Sequence, residues 1–425
     1  MARGTLSMKF FESNVIAVGG GKGGVGKSFI ASNIACGLAQ SGRKVILVDG
    51  DLAGANIHTL FGIKYPEKTL SDYLKKKVLV FTDILLPTAL PNLRLICGAS
   101  DLLEIANPKF AQKQKLIGEI GRLQADEIII DIGAGASLNN LDFFNVADTG
   151  IIVTTPSPPA MQNAYGFLKM AVHRKILGLM SGNTVLKNEL TAAFADNHTF
   201  KSMNHIIELL EGLDPIVAEN VKTLLKDCHY RLIVNMSTAG EGERISQAIG
   251  GVAYQYLNVH LAFFGAIGFD VNVENSIRRM EPIMFTDNST ATTLFMDMAK
   301  KLADFKMTGN SHSPSSSDKF GMDIASLKIK SSSQVQLCLH DEILFQEIKL
   351  HVQTEDFGMK KAQVVTLVFS GGEILVSRKT DYRELLATED AQHAIAERVR
   401  WQHQRMLADI RQGAFAKELM NRKGL

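Results

Sequence analysis

One short glycine-rich segment constrains this chain more than any other feature. Residues 21–28 have the sequence GKGGVGKS and match the pattern GxxxxGK[ST]. They follow the apolar run Val15–Val18 and precede a stretch with apolar residues at helical spacing, up to about Gln40. Glycines let the backbone turn its N–H groups inward, and a helix N-terminus adds partial positive charge. Strand, loop and helix together predict a phosphate-binding loop, with a glycine-rich turn that binds nothing as the alternative.

The polar side chains of this loop suit a nucleoside triphosphate. Lys27 is expected to neutralise the β- and γ-phosphates, and the Ser28 hydroxyl to bind Mg²⁺. Lys22 is a second lysine in the same loop, where it could neutralise the same nucleotide or one held by a facing subunit. The expected nucleotide-binding residues of the loop are Gly21, Lys22, Gly23, Gly24, Val25, Gly26, Lys27, Ser28 and Phe29.

Aspartates stand at the ends of two further apolar runs. Asp49 and Asp51 follow residues 44–48, and their spacing lets both side chains point to one face. Asp131 ends the run 127–130 and precedes a glycine turn. Carboxylates at such strand ends face the ligand crevice, where they hold Mg²⁺ through water or orient an attacking water. Solvated turn aspartates are the alternative for the pair, and an ordinary strand-to-loop aspartate is the alternative for Asp131.

The apolar runs alternate with helical patterns, which predicts an α/β fold with a mostly parallel sheet covered on both faces. Residues 181–229 interrupt this rhythm and are predicted to form an inserted helical segment. Strands are expected at 15–18, 44–48, 93–96, 127–130, 150–154, 230–234 and 261–264, with helices at 27–40 and 113–123.

The last hundred residues differ in character. The serine-rich segment TGNSHSPSSS predicts a linker at 307–320 between a domain over 1–306 and a smaller α+β domain over 321–425. In the second domain, residues 364–369 and 373–377 flank Ser370-Gly371-Gly372 and predict a hairpin. A long helix is expected from Glu389 to about Met420.

The loop GKGGVGKS resembles the deviant Walker A motif of the MinD/ParA group of P-loop ATPases. The form DIGAG at 131–135 is similar to the FlhG/FleN-like members of that group. The resemblance covers roughly residues 14–305 apart from the helical insertion. It implies ATP and Mg²⁺ as cofactors and a homodimer in the ATP state, in which the lysine matching Lys22 reaches the ATP of the partner subunit.

The resemblance also implies roles for single residues. Asp51 matches the aspartate needed for hydrolysis, and Asp49 matches a residue that supports the Mg²⁺ shell. Asn235 matches an adenine-binding asparagine, although a turn asparagine is the alternative, and the loop 265–270 has Gly268 where the family usually has proline. The expected catalytic residues are Lys22, Lys27 and Asp51, and the expected metal-site residues are Ser28, Asp49, Asp51 and Asp131.

The function that the resemblance implies is a slowly hydrolysing, partner-stimulated switch that controls placement of flagella, the division site or a cargo. A nucleotide-gated scaffold whose C-terminal domain binds the partner is one alternative. A partition protein bound to nonspecific DNA is another, although Lys75–Lys77 is better explained as a solvated helix end. The sequence does not identify the protein partner.

Composition argues against several classes of protein and of metal site. The formal net charge is +2, and the four cysteines form no CxxC pair, so a disulfide framework, zinc site or iron–sulfur site is not expected. No run of 18 apolar residues and no apolar signal core are present in the sequence, which leads us to expect a cytoplasmic protein. The weakly amphipathic segment 415–425 leaves two alternatives, peripheral contact with the inner membrane face and the end of a packed helix.

Overall fold

The computed structural model describes residues 13–52, 54–98, 110–180, 182–195, 202–286, 289–307, 338–345, 348–356, 362–370, 373–388, 391–413 and 415. The chain folds into two compact units, Met1–Ser313 and Pro314–Leu425. The boundary falls within the serine-rich segment, and residues 308–320 of the expected linker lie outside the described residues.

The first unit contains a sheet whose strands follow the apolar runs of the sequence. Its strands are β1 (Asn14–Gly19), β2 (Val45–Asp49), β3 (Leu85–Pro87), β4 (Leu93–Ile96), β5 (Glu127–Asp131), β6 (Thr149–Thr154), β7 (Tyr230–Asn235) and β8 (Leu261–Ile267).

The sheet has the order β3-β4-β2-β5-β1-β6-β7-β8. All neighbouring strands pair in parallel except β3, which runs antiparallel to β4 at the edge. The mostly parallel α/β sheet expected from the sequence is therefore confirmed. The three residues of β3 are too few to show a strand pattern in the sequence.

Every residue of the central strands β2, β5 and β6 is buried, because helices cover both faces of the sheet. The helices are α1 (Lys27–Gln40), α2 (Leu70–Leu74), α3 (Phe110–Gly121), α4 (Leu138–Asn145), α5 (Pro158–Leu179), α6 (Thr184–Ala195), α7 (Met203–Leu213), α8 (Pro215–Lys226), α9 (Glu241–Leu257), α10 (Val271–Arg278) and α11 (Thr290–Met307), with short 3₁₀ turns at Ile57–Phe61, Phe81–Ile84 and Ile283–Phe285.

Helices α1 and α11 pack on one face of the sheet, where the rings of Phe29 and Phe295 meet edge to face with centroids 5.7 Å apart. Helices α4, α5 and α9 contribute to the core on the opposite face. Successive residues of β1 supply the two cores alternately, with Val15 in one and Ile16 in the other. Among the described residues, no helix is both long enough and apolar enough to cross a bilayer.

The inserted segment between β6 and β7 is helical in its described residues, with α6, α7 and α8 following α5. The imidazole of His173 on α5 stacks on Phe194 of α6, with ring centroids 3.8 Å apart. Asp214 ends α7 and caps α8, because its Oδ1 accepts hydrogen bonds from the backbone of Ile216 and Val217. The insertion thus extends the hydrophobic core of the α5 face.

The second unit is an antiparallel sheet in the order β12-β11-β10-β9 with one long helix packed on it. This α+β arrangement agrees with the sequence expectation. Its elements are β9 (Cys338–Phe345), β10 (Ile348–Asp356), β11 (Gln363–Ser370), β12 (Glu373–Asp381), a 3₁₀ turn at Arg383–Ala387, and α12 (Ala391–Arg411).

The long helix was expected to reach about Met420, but α12 ends at Arg411. Gly413 follows in the left-handed region with φ 77°, and this conformation closes helices at their C-termini. The expectation was therefore wrong by about two turns. Residues 416–425, which carry the weakly amphipathic pattern, lie outside the described residues, as do Gly371 and Gly372 of the hairpin turn.

Candidate nucleotide-binding site

The glycine-rich loop connects β1 to α1 as the sequence predicts. Gly26 stands directly before α1 with φ 92°, a left-handed conformation that favours glycine. A Cβ atom at Gly26 would also lie 2.3 Å from Nδ2 of Asn235, so a side chain there would collide with β7. The loop therefore depends on glycine at this position both for its turn and for its contact with the sheet.

The two lysines of the loop have different surroundings. Lys27 is buried at 8% exposure, and its Nζ donates a hydrogen bond to the carbonyl oxygen of Lys22 at 3.4 Å. Burial lowers the pKa of Lys27, while the carboxylates of Asp131 and Asp51 oppose that shift. The side chain of Lys22 is exposed. One ammonium thus lies within the loop, and the other lies at its surface.

Asp131, at the end of β5, is buried beside the start of α1. The hydroxyl of Ser28 donates a hydrogen bond to its carboxylate. Burial raises the pKa of Asp131 to about 7, although the Ser28 hydrogen bond and the Lys27 charge both favour the ionised form. The serine and aspartate expected at the metal site therefore lie in contact.

Asp49, at the end of β2, is fully buried and holds the backbone that follows this strand. Its Oδ1 accepts a hydrogen bond from Asp51 N at 3.2 Å, and its Oδ2 accepts one from Ile57 N at 3.1 Å. Burial is the main cause that raises the pKa of Asp49 well above its usual value, and Asp131 adds to the shift. Both oxygens of Asp49 thus position the loop that carries Asp51.

Asp51 lies against the glycine turn that follows β5. Its Oδ1 accepts a hydrogen bond from Gly54 N at 3.0 Å. A Cβ atom at Gly133 would lie 2.9 Å from the same Oδ1, so only glycine leaves room for this carboxylate. The loop after β2 and the loop after β5 therefore meet at Asp51.

Asn235 contacts the phosphate loop directly. Its Nδ2 donates to the carbonyl oxygen of Val25 at 2.9 Å, and its Oδ1 accepts from the backbone of Met236 at 3.0 Å. The sequence did not indicate this contact, which joins residues 210 positions apart. The expectation that Asn235 binds adenine stays a prediction.

A second contact that the sequence did not indicate involves Asn140 on α4. Its Nδ2 donates to the carbonyl oxygens of Gly133, Ala134 and Gly135, at 3.1, 3.1 and 3.0 Å. The only sequence signal is Ser137 three residues earlier, which is typical of a helix N-cap and does cap α4. No pattern in the sequence indicates that Asn140 turns back onto the loop.

An open cavity of about 390 Å³ lies beside the loop 265–270. Asp270 shapes it, because its Oδ1 accepts from Asn272 N at 2.8 Å and its Oδ2 accepts from the Ser289 hydroxyl at 2.9 Å. The residues that line it are Ile267, Gly268, Phe269, Asp270, Val271, Asn272, Thr290, Ala291 and Leu294. The segment 265–270 resembles the family's loop beside the nucleotide base, so a base bound near this cavity is a prediction.

The oxygen groups at the ends of β2 and β5 fit Mg²⁺ as part of a nucleotide complex. Oδ1 of Asp131 is buried and has no hydrogen-bond partner among the described residues. A hard cation or its bound water would satisfy such an oxygen. Within the described ranges, no cluster of three His, Cys, Asp or Glu side chains could hold a metal alone. Mg²⁺ commonly takes one or two protein oxygens and completes its shell with phosphates and water.

Comparison with known proteins decides the family. The sequence matches the ParA family, described as NUBPL iron-transfer P-loop NTPase, over residues 12–199. It is 30% identical over 219 residues to the septum site-determining protein MinD of Thermotoga maritima, which is 49% of this chain and 79% of that protein. The chain belongs to the ParA/MinD family of P-loop ATPases. The resemblance inferred from GKGGVGKS is thereby confirmed.

Two further relatives of this ParA/MinD-family chain have names connected with flagella or with antiactivation. The flagellum site-determining protein YlxH of Helicobacter pylori is 37% identical over 162 residues, which is 37% of this chain and 54% of YlxH. The antiactivator FleN of Pseudomonas aeruginosa is 24% identical over 300 residues, 70% of this chain and 88% of FleN. The chain thus spans about half the length of YlxH and most of FleN.

Proposed function

We propose that this chain is an ATP- and Mg²⁺-dependent switch that dimerises when ATP is bound. The contrast between the two lysines of the phosphate loop carries the proposal. Lys27 is buried in the loop, whereas Lys22 is exposed at its surface. We assign the buried ammonium of Lys27 to the nucleotide of its own subunit. We assign the exposed ammonium of Lys22 to the nucleotide of a second copy, and its exposure supports this assignment.

The residues around the loop have distinct tasks in this proposal. Lys27 neutralises the β- and γ-phosphates, and the backbone N–H groups of residues 21–28 hold the phosphate oxygens. Ser28 and Asp131 hold Mg²⁺, and Asp49 supports its shell through the backbone that it fixes. When bound, Mg²⁺ neutralises charge on the phosphates and orients them.

Asp51 is the residue that we assign to hydrolysis. It lies at the junction of two loops, where its carboxylate can accept a hydrogen bond from a water molecule and aim it at the γ-phosphate. In this proposal the chain alone hydrolyses ATP slowly, and a partner protein stimulates the reaction. Loss of the γ-phosphate then weakens the contact between subunits.

The cellular task is spatial regulation, such as flagellar number or placement, the division site, or the position of a cargo. The names of YlxH and MinD, which refer to site determination, support this proposal. The ParA family description mentions iron transfer, but this sequence has no CxxC pair. We assign the chain to the cytoplasm and leave contact with the inner membrane face or with nonspecific DNA as secondary proposals.

The second unit supports a further candidate function, that of a nucleotide-gated scaffold. This unit has a hydrophobic core of its own and lies outside the residues that match the ParA family. In this alternative, ATP controls dimerisation, the second unit binds the partner, and hydrolysis is incidental. ATP-dependent dimerisation without measurable ATP turnover would favour the scaffold over the switch.

Phosphate release from ATP by the full chain and its Asp51→Ala variant tests the switch proposal. We expect the variant to bind a fluorescent ATP analogue normally and to lose at least about tenfold in turnover, because it cannot orient water. Asp83→Ala, which removes an exposed aspartate of the Phe81–Ile84 turn, is the matched control and should keep wild-type turnover. Full turnover by Asp51→Ala would refute the assignment.

A further inference from the structure

One asparagine side chain holds the backbone of the loop that follows β5. Nδ2 of Asn140 lies 3.0–3.1 Å from the carbonyl oxygens of the three consecutive residues 133–135. A primary amide has two N–H groups, so at least one of them is shared between two acceptors. Three carbonyls that converge on one donor group force the loop into a tight curve around Asn140.

Asn140 is itself held by a fixed helix. Its backbone N–H donates to Ser137 Oγ at 3.2 Å in the first turn of α4. Two residues further along, Asp142 accepts a hydrogen bond from Arg174 Nε of α5 at 2.7 Å and pairs with Lys113 of α3. Lys113 and Asp142 are both largely buried, so water screens this pair weakly. Helix α4 is therefore tied to two neighbours and offers Asn140 a stable position.

The loop held by Asn140 contacts both halves of the site. Gly135 N donates to the carbonyl oxygen of Gly20 at 3.2 Å, directly before the phosphate loop. At the other end of the curve, Gly133 lies against the carboxylate of Asp51. The position of Asp51 relative to the phosphate loop thus depends on the backbone of residues 133–135, which Asn140 holds through hydrogen bonds.

We propose that Asn140 is a positioning residue for ATP hydrolysis, which acts by holding residues 133–135 between Asp51 and the phosphate loop. The inference rests on the proposed role of Asp51. Asn140 is not expected to touch the nucleotide, so it should affect turnover more than ATP affinity. A displacement of about 1 Å at a reacting group costs up to roughly a hundredfold in rate.

The test compares Asn140→Asp, Asn140→Ala and Asn145→Ala in the full chain. Asn140→Asp keeps the size of the side chain but replaces the donor with a carboxylate that the three carbonyls repel. Asn145 is a matched control, because it lies on the same helix and its Nδ2 donates to the Ala171 carbonyl at 2.9 Å, away from the loop. The measurements are kcat and KM for ATP, and hydrogen exchange of the Gly135 amide.

We expect both Asn140 variants to lower kcat by roughly ten- to a hundredfold with KM for ATP within about twofold of wild type. The Gly135 amide should exchange faster in these variants and at the wild-type rate in Asn145→Ala. Unchanged kcat in the Asn140 variants, or equal losses in all three variants, would overturn the inference.

Absence of turnover in the wild-type chain would refute the proposed function instead. In that case hydrogen exchange still decides the structural part of the inference. Wild-type protection of the Gly135 amide in Asn140→Ala would show that Asn140 does not hold the loop.

Discussion

Nδ2 of Asn235 donates a hydrogen bond to the carbonyl oxygen of Val25 at 2.9 Å, which joins the end of β7 to the phosphate loop. Asn235 is 6% exposed, so the contact is shielded from water. Three contacts therefore hold the phosphate loop and the residue directly before it. Asn235 contacts it from β7, Ser28 contacts Asp131 at the end of β5, and Gly135 N contacts Gly20 from the loop after β5.

Asn235→Ala should loosen the phosphate loop, because the Val25 carbonyl would lose its buried partner. We expect the free energy of unfolding to fall by about 1–3 kcal/mol. ATP affinity should fall as well, since the loop would no longer be held in its binding shape. Asn92→Ala is the matched control, as Asn92 donates a long 3.4 Å bond to Ala39 O. Calorimetry measures ATP affinity, and thermal unfolding measures stability. Normal ATP affinity in Asn235→Ala would contradict this account.

Gly133→Ala should impair hydrolysis without unfolding the chain. The added Cβ would lie 2.9 Å from Oδ1 of Asp51 and displace that carboxylate from the loop. We expect turnover to fall by roughly tenfold or more. Gly118→Ala in α3 is the control, because no atom lies within 4 Å of its added Cβ and alanine favours a helix. Equal rates of ATP turnover in Gly133→Ala and Gly118→Ala would show that the contact between position 133 and Asp51 does not affect hydrolysis.

Asp131→Asn should stabilise the nucleotide-free chain in a pH-dependent way. The pKa of Asp131 is raised from 3.8 to about 7, so between these values the folded state binds the proton that the unfolded state has lost. The stability contributed by this proton is complete below about pH 3.8, falls progressively as the pH rises, and is lost above about pH 7. The neutral amide avoids that loss.

Thermal unfolding of both proteins without nucleotide or Mg²⁺ measures this effect. We expect Asp131→Asn to exceed wild type by a few kcal/mol at about pH 8.5, and by roughly half as much at about pH 5.5. The same variant should lose stabilisation by Mg²⁺ and ATP together, because it lacks the ionised oxygen. A stability difference that is equal at both pH values would show that Asp131 does not titrate in this range.

Thr354→Val should destabilise the second unit alone. The Thr354 hydroxyl is buried and lies 2.7 Å from the Thr366 hydroxyl and 2.8 Å from Nδ1 of His403. Valine has the same shape but cannot replace these bonds, so we expect a loss of about 1–3 kcal/mol. ATP binding should stay normal. Ser377→Ala, which removes an exposed hydroxyl of β12, is the control, and equal stability of the two variants would contradict the expected role of the buried bonds.

The sheet of the first unit could be predicted because its central strands are apolar on both faces. The run Val15–Val18 and the helix 27–40 follow from composition and spacing alone. Strand β10 was not predicted, since its inward positions change from Leu350 and Val352 to Thr354 and Asp356. These polar groups are buried only because Thr366 and Tyr382 supply hydrogen bonds from elsewhere in the chain.

The candidate site likewise contains residues that the sequence predicts and contacts that it does not predict. The phosphate loop and the three aspartates could be found in the sequence, because short spacing and strand ends determine their placement. The contacts made by Asn235 and Asn140 could not, since each depends on how separate elements pack. An asparagine near a helix start or a strand end is common, and only the folded chain shows which backbone groups it reaches.

The most direct test of the central claim is light-scattering mass analysis of the full chain and its Lys22→Ala variant, with ATP and Mg²⁺ and with ADP. We predict that the wild-type chain changes from the mass of one copy to that of two in ATP only. Lys22→Ala should bind ATP but keep the mass of one copy, whereas the exposed-lysine control Lys44→Ala should dimerise normally. ATP-dependent dimerisation of Lys22→Ala at the wild-type level, or a wild-type chain that stays a single copy in ATP, would contradict the account.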